Sequence, residues 1–184
     1  MYAIAEDNEQ NLWLGTENGG LDIFNVINKT FYHYVKDDID NTTLSNNSIY
    51  TFCRDAKGNM WLGTFSGGVE FVNHDSNKFK NYKHTLSPTS LSDNKVLSIY
   101  EDSKRNIWIG TDGGGLNLFD SKTRDCQHFT SKAGSKNSIA GNYVLNVFED
   151  SKENLWIGTW GDGLSIWDRK KNIFRNFKNN PSDP

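Results

Sequence analysis

Apolar residues along the chain come in short runs broken by Gly, Asn, Asp and Ser, and none of these runs is long enough for a globular helix. The pattern repeats. Asn11-Leu12-Trp13-Leu14-Gly15-Thr16 returns as Asn59-Met60-Trp61-Leu62-Gly63-Thr64, Asn106-Ile107-Trp108-Ile109-Gly110-Thr111 and Asn154-Leu155-Trp156-Ile157-Gly158-Thr159. The four Trp positions are 48, 47 and 48 residues apart, the mark of a repeat architecture. Each unit holds four short segments whose β-branched and aromatic content predicts strands. The first is typified by Val96-Leu97-Ser98-Ile99-Tyr100-Glu101 and the second is the Trp hexapeptide. The third is typified by Leu116-Asn117-Leu118-Phe119, and the fourth by aromatic pairs such as Phe31 with Tyr34 and Phe79 with Tyr82.

The turns are equally periodic. Asp7, Asp55, Asp102 and Asp150 end the first strand and an Asn follows four residues later, which predicts a tight hairpin. Gly19-Gly20, Gly67-Gly68, Gly113-Gly114-Gly115 and Gly161-Asp162-Gly163 supply left-handed positions to the second turn. A strand follows each Gly tract, so a phosphate cradle, which needs a helix there, is set aside. Side chains alternate along a strand, so Leu12 and Leu14 point one way and Trp13 the other, and both faces are apolar. A small sheet apolar on both faces must lie between two like sheets. The expected fold is therefore all-β: a β-propeller of four-stranded antiparallel blades over 2–34, 48–82, 96–129 and 144–177, joined by long polar loops. Trp13, Trp61, Trp108 and Trp156 are expected between blades, each costing ~3–5 kcal/mol if cut to Ala.

Composition narrows the partners. The 184 residues carry 20 basic and 23 acidic side chains in scattered order, which argues against nucleic acid. No stretch is apolar enough to span a bilayer as a helix, and no signal peptide is visible at Met1. Six Trp, seven Tyr and eleven Phe argue against disorder. Cys53 and Cys126 fall in different units and read as free thiols. His33 and His128 stand at equivalent points of an outer strand, and His74 and His84 in loops without partners, so no metal site is expected. No cofactor is expected either. Arg169-Lys170-Lys171 reads as a solvated hairpin turn.

These units resemble the two-component regulator propeller repeats, whose pattern joins a small-Leu-Ser-x-Asn lead to Glu-Asp, Trp-Ile-Gly-Thr and Gly-Gly-Leu. Thr43-Leu44-Ser45-Asn46-Asn47, Ser90-Leu91-Ser92-Asp93-Asn94 and Ser138-Ile139-Ala140-Gly141-Asn142 are the leads here. The resemblance implies the sensor region of bacterial hybrid two-component histidine kinases, a periplasmic location and a carbohydrate-type signal. It also implies a piece of a longer propeller. Met1 falls inside a first strand, the next lead would begin at residues 179–184, and seven blades would need roughly 330 residues. Further blades of the parent chain, or a second copy, are then expected partners.

Variation within a strict repeat points to a site. After Gly-Thr come Glu17-Asn18, Phe65-Ser66, Asp112-Gly113 and Trp160-Gly161, on the rim shared with the long loops. Aromatics beside acids and amides suit a sugar, whose ring stacks while its hydroxyls bond. Trp160 and Phe65 are the candidate platforms, with Glu17, Asn18, Ser66 and Asp112 as polar partners. The competing view packs these residues against neighbouring blades or their own long loops. No residue is assigned a catalytic role, since Asp55, Asp102 and Asp150 recur identically as turn formers. Three functions remain open: a non-catalytic ligand-sensing module, a protein-interaction or dimerisation propeller, and a glycan-active hydrolase or lyase. The last would need two paired carboxylates in one cleft.

Overall fold

The computed structural model describes residues 1–40, 42–74, 79–135 and 137–179. The start of a further lead, expected near the C-terminus, has its residues 180–184 outside them. Among the described residues there are sixteen strands and no helix. Sheet one holds β1 (Ala3–Glu6), β2 (Leu12–Gly15), β3 (Leu21–Asn25) and β4 (Thr30–Tyr34); sheet two holds β5 (Ile49–Arg54), β6 (Met60–Thr64), β7 (Val69–Val72) and β8 (Phe79–Tyr82). Sheet three holds β9 (Val96–Glu101), β10 (Ile107–Thr111), β11 (Leu116–Phe119) and β12 (Cys126–Phe129); sheet four holds β13 (Val144–Glu149), β14 (Leu155–Thr159), β15 (Gly163–Asp168) and β16 (Ile173–Phe177). Each sheet is an antiparallel meander in chain order. The inner strands β1, β5, β9 and β13 touch in succession, so the sheets fan as blades. This is the all-β propeller expected from the sequence.

Three cores lie between the four sheets. Trp13 packs with Ile49, Met60 and Leu62; Trp61 with Val96, Ile107 and Ile109; Trp108 with Val144, Leu155 and Ile157. In the two middle sheets β6 and β10 are buried at every position. Trp13, Trp61 and Trp108 are 6%, 3% and 1% exposed. Trp156 differs from expectation: it is only half-buried, because no described sheet covers its face.

The hairpin Asp holds more than a turn. One oxygen of Asp55 accepts the Lys57 and Asn59 backbone N–H groups at 3.0 and 2.9 Å. The other accepts the Asn59 side-chain amide at 2.9 Å and the Trp61 indole N–H at 3.0 Å. The same four bonds recur at Asp7, Asp102 and Asp150. Each indole therefore enters the core with its polar N–H already satisfied. Burial pushes the carboxyls of Asp7 and Asp102 up, but donors from indole, amide and backbone outweigh it and hold both below the usual carboxylate range. At Asp150 the indole and amide donors dominate from the outset and lower it too.

The leads tie one blade to the next. Leu44, Leu91 and Ile139 are buried plugs. The carbonyls of Asn47, Asn94 and Asn142 accept the N–H of Gly20, Gly68 and Gly115 in the preceding blade at 2.8–2.9 Å. Their side-chain oxygens accept backbone N–H groups just past the preceding outer strand, from Lys36, His84 and Ser131. The glycines sit at φ near +80°, and a Cβ on Gly20 or Gly68 would collide with a backbone carbonyl of the outer strand. Buried side chains of the third strands complete the joint: Glu70, Asn117 and Ser165 accept the backbone N–H of Ser45, Ser92 and Ala140. Burial pushes the Glu70 carboxyl up, and its second oxygen has no hydrogen-bond partner.

Two sequence expectations change. Arg169 is not solvated: its side chain is 10% exposed and bonds Asp102 Oδ2 at 2.6 Å, the Glu149 carboxylate and the Glu153 carbonyl at 2.9 Å. Sequence offered no sign of this, since the partners lie 67 and 20 positions away. His74 and His84 have partners as well: the His74 backbone N–H donates to Asn59 Oδ1 at 3.2 Å, and the His84 ring Nδ1 lies 2.7 Å from the Leu91 carbonyl.

Candidate ligand site on the loop rim

The rim is shaped by a register shift. In sheets two, three and four the first strand gains one residue where it meets the end of the second, leaving Tyr50, Leu97 and Leu145 outside the ladder. A bulge there redirects a side chain, and the Tyr50 ring reaches both neighbours. It meets Tyr2 edge-on at 4.8 Å and Phe65 at 5.5 Å. The Phe65 ring carries the Lys95 ammonium 4.7 Å from its centroid, and Lys95 is ion-paired with Asp112. Asp112 in turn bridges to Tyr143, whose carbonyl accepts the Trp160 N–H at 2.9 Å. A row thus runs across all four blades: Tyr2, Tyr50, Phe65, Lys95, Asp112, Tyr143 and then Trp160.

The expected site residues divide within this row. Trp160 is 69% and Phe65 42% exposed, the latter with the Lys95 ammonium over its ring. Glu17 accepts the Tyr2 hydroxyl at 3.0 Å, which pushes the Tyr2 phenol up. The Asp112 carboxylate holds the Lys95 ammonium up in the same way. Asn18 and Ser66 belong instead to the loops. Asn18 sits at φ +61° and exchanges bonds with Ser48, while Ser66 accepts the Asn46 amide at 2.8 Å. Sequence reasoning missed Tyr2, Tyr50, Lys95 and Tyr143. The available signal was the one used for the turn: Ser48, Lys95 and Tyr143 share one repeat position and differ in all three units.

Glu17 and Asp112 are each committed to a partner, and they stand on blades one and three. Among the described residues no cluster of three or more His, Cys, Asp or Glu is placed to hold a metal ion. Cys53 and Cys126 are free, and burial pushes their thiols up to about 11 and about 12, which leaves them poor nucleophiles. No helix among the described residues is long and apolar enough to cross a membrane.

The molecule can now be set beside known proteins. The extracellular domain of a hybrid two component system of B. thetaiotaomicron is similar over 96% of this chain and 24% of its own, at TM-score 0.83 and 21% identity. Virginiamycin B lyase from Staphylococcus aureus is similar over 99% of this chain and 56% of its own, at TM-score 0.71 and 14% identity. PorZ, a surface component of the type-IX secretion system of Porphyromonas gingivalis, is similar over 95% and 27%, at TM-score 0.68 and 17% identity. The chain thus spans about a quarter of the first and just over half of the lyase. At these identities the likeness concerns the fold. No curated protein matches the chain. The two component regulator propeller family matches residues 1–18, 43–66, 90–113 and 138–161, one stretch per blade. Those stretches hold the first strand, the Asp hairpin and the Trp strand, with the lead before them in sheets two to four, so that each blade carries one two component regulator propeller repeat.

Proposed function

We propose that this chain is a non-catalytic ligand-sensing segment of a larger propeller, from the periplasmic part of a hybrid two-component receptor, and that its ligand is a carbohydrate released from polysaccharide. The observation that carries this reading is the row across the loop rim. Exposed Trp160 and Phe65 stand in one row with Tyr2, Tyr143 and the Lys95–Asp112 pair. Rings to stack on and donors to bond to are what a sugar needs. Phe65 and Trp160 act as platforms, and Glu17 and Asp112 fix the hydroxyl and ammonium that face the ligand. Asn18 and Ser66 act indirectly, by holding the loops. Binding would signal only if it favoured one arrangement of blades or subunits over another.

A second reading, a propeller that docks a second copy or further blades, is favoured by the exposed apolar residues of the terminal sheets, Ile4 and Phe31 in sheet one and Phe148 and Phe177 in sheet four. A hydrolase or lyase is favoured least, because Glu17 and Asp112 are each engaged and stand on different blades. The test is a titration of an oligosaccharide panel by calorimetry with product analysis. Saturable binding without turnover, lost in Trp160→Ala while the far-ultraviolet spectrum is retained, supports the sensor. Released product would replace it with an enzyme. Concentration-dependent association with no sugar binding would replace it with an interaction module.

A further inference from the structure

The hairpin face, at the other end of the blades from that rim, carries a cavity at one blade junction. Between sheets one and two lies a cleft of about 340 Å³, lined by Asp7, Glu9, Trp13, Tyr32, Tyr34 and Val72 among others. That volume is in the range of small-molecule sites, about 300–1,000 Å³.

The repeat shows why the cleft is open here. Val72 occupies the position of Phe119 in sheet three and Trp167 in sheet four. Between sheets three and four, Trp167 packs against Trp108 at 5.7 Å and Phe129 at 5.1 Å, filling the corresponding space. Phe119 does the same against Trp61 and Tyr82 between sheets two and three. Gly58 stands where the other sheets place Gln10, Arg105 and Glu153. The wall chemistry also changes at this junction alone. Glu9 replaces Lys57, Lys104 and Lys152, and Tyr32 replaces Lys80, Gln127 and Arg175. Four departures from the repeat thus converge on one cavity, turning its wall from basic to acidic and aromatic. The described lining residues include no Lys or Arg.

The chain itself shows what such a place accepts. Between sheets three and four the guanidinium of Arg169 lies against Asp102 Oδ2, which already holds the Asn106 amide and Trp108 indole donors. Asp7 Oδ2 is its counterpart in the open cleft and, among the described residues, holds the corresponding donors from Asn11 and Trp13 and no guanidinium. The counterpart of Arg169 is His74, so no guanidinium comes from the chain at that position. Arg54, the nearest arginine on sheet two, is bonded to the Asp7 backbone carbonyl and the Asn8 side chain instead.

We propose that the cleft between sheets one and two binds a guanidinium group from outside the chain, held by the Asp7 and Glu9 carboxylates against the rings of Tyr32 and Tyr34. Charge-assisted hydrogen bonds and cation–π contact are the interactions that this wall offers. The site is separate from the loop rim and does not depend on the function proposed there.

Agmatine is the probe, titrated by saturation-transfer NMR and calorimetry, with glucose as the neutral comparison and a capped Gly-Arg-Gly tripeptide to distinguish a peptide arginine from a free guanidinium compound. Saturable binding of agmatine or of the tripeptide is expected, without binding of glucose. Glu9→Lys, which restores the residue of the other three units and so preserves the hairpin, is expected to weaken it at least about tenfold. Val72→Trp is expected to abolish it by filling the cleft, and Trp160→Ala to leave it unchanged. Absence of saturation by both guanidinium probes would overturn the proposal, as would equal affinity in Glu9→Lys or preferential binding of glucose.

Discussion

Sheets one and four carry the same motif and show opposite faces. In β2 the Trp13 face is covered and Leu12 and Leu14 are half-exposed; in β14 Leu155 and Ile157 are covered and Trp156 is half-exposed. The hydrogen bonds of the two indoles are nonetheless the same, 2.9 Å to Asp7 and 2.9 Å to Asp150. The comparison separates two kinds of cause. The hairpin with its Asp–Asn–Trp bonds is local and forms alike in all four sheets. The burial that makes it stabilising comes only from the next sheet. A repeat protein gains most of its stability at such interfaces, so its terminal units are its weak ones.

The largest expected effect tests that division directly. Trp108→Ala should cost ~3–5 kcal/mol in urea unfolding, since a fully buried indole leaves a cavity. Trp156→Ala should cost about 1–2 kcal/mol, in proportion to the area it hides. Equal losses at the two positions would break the comparison.

Next comes the link between sheets three and four. Arg169→Ala leaves the buried Glu149 carboxylate without its guanidinium and should cost about 3 kcal/mol. The same measurement on Lys170→Ala, in the adjoining exposed turn, should show almost no change. If both variants were neutral, Arg169 would be a surface residue after all.

The smallest effect is expected from acid. Asp7, Asp102 and Asp150 have folded values below the ordinary 3.8, so their contribution is present above that value and lost as the pH falls through the folded ones. Glu70 acts with the opposite sign. Its raised carboxyl favours the fold below its ordinary 4.5, and that contribution is lost as the pH rises through the folded value. The midpoint of thermal unfolding should therefore drop below pH 4. Asp102→Asn should flatten that drop, and Glu70→Gln should flatten the slope on the neutral side. A midpoint unchanged between pH 5 and pH 2 would mean that the hairpin carboxylates do not support the fold.

Much of this molecule is legible in the chain because its repeat is strict. Strand order, the two turn types and the alternation of Leu and Trp faces follow from residues a few positions apart, where spacing and turn chemistry decide the backbone. Glu17, Phe65, Asp112 and Trp160 could be picked out on the rim for the same reason, as differences within a constant frame. What stayed hidden depends on contacts between sheets. The seating of Lys95 on Phe65, the reach of Tyr50 to Tyr2, the Arg169 link and the cleft between Tyr32 and Val72 all join residues of neighbouring blades. Local sequence specifies each blade, because hairpin hydrogen bonds and strand alternation act over short separations. Which faces are covered, which charges meet and where a gap is left depend on side-chain volumes from two blades at once, and only the tertiary packing combines them.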